Sequence, residues 1–118
     1  MKYRVCRVEE IPEGQKRRYT VKNIPLVVVH SVHGGFYAIY EFCPHQRASL
    51  GDGVLGGLTL ARQPGAKFDY VREGEILRCP WHNYCFDIKT GLCLTEPQKF
   101  RIKTYPILVE DQEVFLDL

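Results

Sequence analysis

The sequence has little that could anchor it in a membrane or direct it to export. Its longest purely aliphatic run is Leu26–Val29, whereas a membrane-spanning helix needs roughly 20 apolar residues. The first six residues, Met-Lys-Tyr-Arg-Val-Cys, lack the apolar stretch and small-residue cleavage site of a secretory signal. We therefore expect no membrane association and a cytoplasmic location.

Neither sign of charge is in large excess. The 118 residues include 16 Lys and Arg and 14 Asp and Glu, mixed along the chain, which gives a formal net charge of +2. A nucleic-acid-binding protein would concentrate its basic residues, but the only basic run is Lys16-Arg17-Arg18, for which we predict a solvated turn. The length and the 45% apolar content are typical of a globular protein and predict a single domain over residues 1–118.

The apolar pattern lacks the i, i+3, i+4, i+7 spacing of an amphipathic helix. Short alternating segments predict strands instead, so the predicted fold class is all-β. His33-Gly34-Gly35 predicts a hairpin turn between two of these strands. The strands predicted outside the middle of the chain are Tyr3–Val8, Leu26–Val32, Phe36–Phe42, Leu92–Leu94, Arg101–Tyr105, Ile107–Val109 and Val114–Leu116.

The middle of the chain predicts a three-stranded meander. Two clusters of turn-forming residues, Gln63-Pro64-Gly65-Ala66 and Glu73-Gly74, divide it. The three predicted strands are Leu58–Arg62, Lys67–Arg72 and Glu75–Arg78. The last of them ends directly before a cysteine.

Five cysteines is an odd number, which together with the missing secretory signal argues against a disulfide framework. Two of them begin motifs that pair a thiol with an imidazole, Cys43-Pro44-His45 and Cys79-Pro80-Trp81-His82. The proline after each cysteine fixes φ and stiffens the loop, which lowers the ordering cost of binding. Two such loops supply four ligands, which suit either an iron-sulfur cluster or tetrahedral zinc.

The residues around these motifs resemble the Rieske family. The second motif continues to a Phe-Asp-x-x-Thr-Gly stretch at residues 86–91, which is similar to the family's exit from the cluster loop. Leu50-Gly51-Asp52-Gly53 and Ile102-Lys103-Thr104-Tyr105-Pro106 are similar to the ferredoxin components of ring-hydroxylating oxygenase systems. The resemblance covers nearly the whole chain. The two motifs are further apart than is usual in the family, and the extra residues lie around 54–72.

This resemblance implies a Rieske-like antiparallel β-sandwich with a small cluster-binding subdomain at roughly residues 43–91. It implies a 2Fe-2S cluster with Cys43 and Cys79 on the inner iron and His45 and His82 on the outer iron. The protein would be a soluble electron carrier and not itself an enzyme. Its implied partners are an NAD(P)H-dependent flavin reductase, which supplies electrons, and a terminal oxygenase, which accepts them.

Other branches of the family fit the sequence less well. High-potential Rieske proteins of membrane complexes carry a disulfide at the positions of Ala48 and Trp81, and hydroxyls of serine and tyrosine at the positions of Tyr84 and Phe86. An oxygenase would need a second iron site with two more histidines, but both remaining histidines fall in the early hairpin. A small subunit of a nitrite reductase and a zinc-stabilised binding module remain as alternatives.

The other conspicuous polar residues and thiols receive structural interpretations. Asp87 is expected to accept hydrogen bonds that stabilise its loop. The remaining thiols, Cys6, Cys85 and Cys93, are expected to be buried, and the remaining histidines, His30 and His33, to lie at the surface or in a turn.

Overall fold

The computed structural model describes residues 1–44, 48–61, 68–80 and 84–118, with the backbone alone at 57–61 and 68–73. Over these residues the regular structure is almost entirely antiparallel β, as the sequence predicts. The strands are β1 (Lys2–Arg7), β2 (Lys16–Val21), β3 (Ile24–His30), β4 (Phe36–Tyr40), β5 (Val54–Ala61), β6 (Phe68–Arg78), β7 (Cys85–Asp87), β8 (Thr104–Tyr105), β9 (Ile107–Glu110) and β10 (Glu113–Asp117). Single turns of 3₁₀ helix occupy Val8–Glu10 and Leu50–Asp52.

The central sheet has the strand order β2-β3-β4-β8 and is covered on both faces. Successive side chains of a strand point to opposite faces. Leu26 and Val28 of β3 accordingly pack in one hydrophobic cluster, and Val27 and Val29 pack in another. Because both faces of β3 are buried, every position in Leu26–Val29 is apolar, which explains the longest aliphatic run in the sequence.

The first cluster lies between the central sheet and a sheet of order β1-β10-β9. Cys6 of β1 and Val114 and Leu116 of β10 pack there against Leu26 and Val28 of β3. The β9–β10 turn has positive φ at Asp111 (52°) and Gln112 (66°), which are residue types that adopt such turns. Neither Cys43 nor Cys79 belongs to this cluster.

The second cluster lies between the central sheet and a sheet of order β5-β6-β7. Leu77 of β6 and Phe86 of β7 pack there against Val27 and Val29, and each of the four is fully buried. Strand β6 pairs with β5 along its whole length but with β7 only at its C-terminal end. Beyond the end of β7, the third sheet thus consists of the paired strands β5 and β6 alone.

Three predictions about local structure were wrong, and the rest of the strand predictions are confirmed to within a few residues. Lys16-Arg17-Arg18 is not a turn but begins β2. Glu73-Gly74 does not reverse the chain, because Gly74, at φ +78°, lies inside the continuous strand β6 at an irregularity of its pairing with β5. Leu92–Leu94 forms only isolated bridges.

The early hairpin forms as predicted, with Gly34 and Gly35 at φ +87° and +88°. The predicted turn at residues 63–66 lies outside the described residues. Among the helices of the described part of the chain, none is long and apolar enough to cross a membrane.

Candidate metal centre

Cys43 lies in the loop that follows β4. Its side chain is fully buried, and its backbone N–H donates to the carbonyl of Ala48 at 2.9 Å. The flanking residues Phe42 and Ser49 form an antiparallel bridge. The first predicted ligand loop is therefore closed at its base by backbone hydrogen bonds, which fix the position of the thiol.

Cys79 lies in the loop that follows β6, and its surroundings match those of Cys43. It is fully buried, and its backbone N–H donates to the carbonyl of Tyr84 at 2.7 Å. The flanking residues Arg78 and Cys85 are paired between β6 and β7. The two predicted ligand loops are thus closed in the same way and at the same spacing.

The structure brings the two predicted thiol ligands into one apolar environment. Cys43 and Cys79 both belong to the second hydrophobic cluster, and none of the five cysteines, all within the described residues, forms a disulfide. The other two predicted ligands, His45 and His82, lie outside the described residues. Over the part that is described, no group of three His, Cys, Asp or Glu side chains is placed to hold a metal ion.

Two buried thiols at hydrogen-bonded loop bases fit an iron-sulfur cluster, because its thiolate ligands are held in surroundings that control solvent access. The same two donors would also fit zinc. The geometry of the described residues therefore supports a metal centre between these loops without naming the metal.

The base of the first loop is held by charged residues that sequence analysis did not connect with it. Ser49 Oγ donates to the Glu41 carboxylate at 2.7 Å and accepts from the Arg18 guanidinium at 3.2 Å. Arg18 also lies 3.3 Å from the Asp52 carboxylate. Strand β2 therefore contributes to positioning the loop that contains Cys43.

Lys16 of β2 also contacts the segment that follows Ser49. Its ammonium group donates to the carbonyl of Gly51. Burial lowers the pKa of Lys16, although the nearby Asp52 carboxylate opposes this shift. The sequence signal for this role was the run of β-forming residues Tyr19-Thr20-Val21 directly after the basic triplet, which favours a strand rather than a turn.

The exit of the second loop is a tight, hydrogen-bonded turn. Asp87 is 7% exposed, and its carboxylate accepts from the backbone N–H groups of Lys89 at 2.8 Å and Thr90 at 3.3 Å, so its predicted role is confirmed. Gly91 has φ +79°, and a Cβ there would lie 2.0 Å from the carbonyl oxygen of Ile102. Only glycine fits at this close approach between the loop exit and the C-terminal segment.

Two aromatic residues flank the thiols. Phe86 is fully buried in the second cluster together with Cys43 and Cys79. Tyr84 is half-buried, with its ring edge-to-face against Phe100 at 5.6 Å between centroids. Its partial burial and then the Glu96 carboxylate raise the pKa of Tyr84, so that its hydroxyl stays protonated.

The remaining thiols and histidines take structural positions. Cys6 and Cys93 are buried as predicted, and burial raises the pKa of the Cys6 thiol. Cys85 is only partly buried. His30 stacks on a neighbouring phenylalanine with its Nδ1 2.8 Å from a backbone carbonyl oxygen, and His33 lies exposed in the hairpin turn.

Comparison with known proteins identifies the family. The model of the Rieske [2Fe-2S] domain matches residues 1–106. The 3-phenylpropionate/cinnamic acid dioxygenase ferredoxin subunit of Escherichia coli (strain K12) is 32% identical over 113 residues, which cover 96% of this chain and 90% of that protein. The family match includes both motifs that contain the predicted ligands.

Solved structures agree with this result. A ferredoxin of Sphingomonas yanoikuyae B1 superposes with a TM-score of 0.75 at 30% identity, over 100% of this chain and 99% of that one. A complex of reduced oxygenase and oxidised ferredoxin in carbazole 1,9a-dioxygenase matches with a TM-score of 0.71 at 27% identity, over 98% and 91%. A nitrite reductase small subunit shares the fold, with a TM-score of 0.79 at 18% identity over 100% and 99%. The chain therefore belongs to the family of Rieske [2Fe-2S] domains and carries a 2Fe-2S cluster.

Proposed function

We propose that this protein is a stand-alone one-electron carrier that passes electrons to a terminal oxygenase. The observation that supports this most directly is the pair of buried thiols on two matching loops within one apolar core. The relative from Escherichia coli is named as the ferredoxin subunit of a dioxygenase, which supports the same role here. An NAD(P)H-dependent flavin reductase supplies the electrons, and the exchange takes place in the cytoplasm.

The ligands of the cluster in this proposal are Cys43 and Cys79 on the inner iron and His45 and His82 on the outer iron. A 2Fe-2S cluster supplies reversible one-electron redox chemistry. The two thiols hold the 2Fe-2S group next to the second hydrophobic cluster, and the hydrogen-bonded loop bases keep the thiols in place. Residues 43–91 act as the cluster-binding subdomain of a single domain that spans residues 1–118.

The protein's own residues do the positioning. The Arg18, Ser49 and Glu41 contacts hold the first loop, and the Asp87 turn holds the second. These contacts fix the bases of the two loops, which lowers the ordering cost of cluster insertion. Phe86 contributes apolar packing without a hydroxyl, so it donates no hydrogen bond to sulfur.

Spectroscopy and electron transfer together test the proposal. The purified protein is expected to be coloured, with visible absorption and about two iron and two sulfide ions per chain. Anaerobic titration is expected to show one reversible electron. Stopped-flow mixing of the reduced protein with purified Rieske oxygenases is expected to reduce at least one of them. Colourless protein that contains zinc would contradict the proposal, as would a reduced protein that transfers no electron to any of these oxygenases.

A role as the small subunit of a nitrite reductase is the second candidate, because such a subunit has the same fold. The likeness at 18% identity extends to the fold alone. Purification from its native cells distinguishes the two roles, since a subunit would be recovered in a stable complex with a large nitrite-reducing chain.

A further inference from the structure

A cavity of about 350 Å³ opens beside the first ligand loop. Cys43 and Pro44 line it together with the aromatic residues Tyr40 and Phe42. The wall is thus apolar where it meets the cysteine loop. A cavity of this volume accommodates a side chain of another protein.

Two exposed cations, Arg101 and Lys103, also line this cavity. Arg101 and Lys103 flank the buried Ile102, and all three also line an adjoining cavity of about 400 Å³. Because side chains alternate along an extended segment, Ile102 points into the core while its two neighbours point outward. The cations therefore form a ridge between two openings.

The backbone holds this ridge in place next to both ligand loops. The N–H of Ile102 donates to the carbonyl of Gly91 at 2.8 Å, at the exit of the second loop. The carbonyl of Lys103 accepts from the N–H of Tyr40 at 2.9 Å, at the entrance to the first loop. The two cations are thus attached to the same rigid frame as Cys43 and Cys79.

The charges of the ridge have no acidic partner within the described residues. Arg101 makes a long contact of 3.5 Å to the backbone carbonyl of Thr90. Lys103 lies over the ring of Tyr105, with its Nζ 5.3 Å from the ring centroid. By contrast, Lys2, Arg4 and Arg18 on other strands pair with carboxylates.

We propose that this cavity and its cationic ridge are the docking site for an acidic face of the terminal oxygenase, a proposal that rests on the proposed function. An apolar side chain of the partner enters the cavity, and carboxylates around it pair with Arg101 and Lys103. Protein interfaces have this arrangement of an apolar centre within a polar rim. Docking here brings the partner against the loop of Cys43, and the opposite charges steer the encounter.

Binding measurements with single charge reversals test the docking site. The probe is the purified Rieske oxygenase that the wild-type protein reduces fastest, titrated by calorimetry at low ionic strength. Arg101→Glu and Lys103→Glu are each expected to weaken binding about fivefold. Arg101→Lys, which keeps the charge, is expected to bind like the wild type. The matched control is Lys22→Glu, which makes the same change in net charge at an exposed lysine outside the cavity.

Oxidation by small ions gives a readout that needs no protein partner. At low ionic strength the reduced Arg101→Glu protein is expected to react more slowly than wild type with ferricyanide, an anion, and faster with a cationic cobalt(III) ammine complex. Salt should remove both differences, because it screens exposed charges. Lys22→Glu is expected to change both rates less.

Equal effects of Arg101→Glu and Lys22→Glu in both measurements would overturn the docking site, because only overall charge would then matter. Stronger binding of Arg101→Glu to the oxygenase would overturn it as well. Failure of the proposed function is a different result, namely that the wild-type protein reduces no oxygenase at all, and it is seen before any variant is compared.

Discussion

Gly53 brings the end of the first loop region against the residue that precedes Cys79. It directly precedes β5, whose first residue, Val54, pairs with Arg78. A Cβ on Gly53 would lie 2.1 Å from the carbonyl oxygen of Arg78. Its backbone angles, φ −79° and ψ −178°, are open to alanine. The substitution Gly53→Ala therefore tests crowding alone, without backbone strain.

The expected loss of stability in Gly53→Ala follows from the short distance between the added Cβ and the Arg78 carbonyl oxygen. Ordinary van der Waals contact begins at 3.4 Å, so the Arg78 carbonyl must move by about 1.3 Å. Overpacking of this kind costs about 1 to 3 kcal/mol, which for a domain of this length lowers the melting temperature by about 4 to 12 °C. Because Cys79 follows Arg78 directly, we also expect Gly53→Ala to bind less iron and sulfide per chain.

Differential scanning calorimetry and iron analysis of the purified variant measure both effects. Gly34→Ala is the matched control, because Gly34 has φ +87° but a Cβ there would meet no heavy atom within 4 Å. It should lose about 1 kcal/mol through backbone strain and keep a full cluster. A Gly53→Ala protein with the melting temperature and iron content of the wild type would refute the close approach between the two loop regions.

Three further predictions concern the cluster and the core. Cys79→Ala should lose the cluster, whereas His82→Cys should keep one with an altered visible spectrum. Phe86→Tyr, at a fully buried position beside both thiols, should raise the reduction potential measured by protein-film voltammetry, since a hydroxyl donor to sulfur stabilises the reduced form. Burial raises the pKa of Tyr19 to about 12, above the value of about 10 in the unfolded chain. The stability that this group contributes is present below about pH 10 and is lost as the pH rises toward about 12, so urea unfolding of Tyr19→Phe should depend less on pH there.

Each of these predictions has a result that contradicts it. A Cys79→Ala protein with a full Rieske spectrum would remove Cys79 from the ligand set. An unchanged or lower potential of Phe86→Tyr would mean that the new hydroxyl does not reach the sulfurs. If wild type and Tyr19→Phe lose stability equally between neutral and alkaline pH, Tyr19 does not titrate as its burial requires.

The fold class and the pair of cysteine loops follow from local patterns in the sequence. Alternating apolar residues predict strands because each strand buries one face, and the hairpin at Gly34-Gly35 follows from the freedom of glycine at positive φ. Cys43 and Cys79 could be named because a thiol, a proline and a nearby imidazole recur in both motifs. These are local patterns, and local physical chemistry is sufficient to interpret them.

The distant segments that support these loops, by contrast, become visible only in the folded structure. The basic run that contains Lys16 and Arg18 predicts a solvated turn. In the structure it lies in β2, whose pairing with β3 brings Lys16 within hydrogen-bond distance of Gly51 and Arg18 within hydrogen-bond distance of Ser49. Glu73-Gly74 predicts a turn as well, but in the structure these two residues lie within β6, which pairs with β5 on both sides of them. The ridge of Arg101 and Lys103 lies beside Cys43 because backbone hydrogen bonds join segments far apart in the chain. Such contacts depend on the register of the strands across sheets, which no short stretch of sequence specifies.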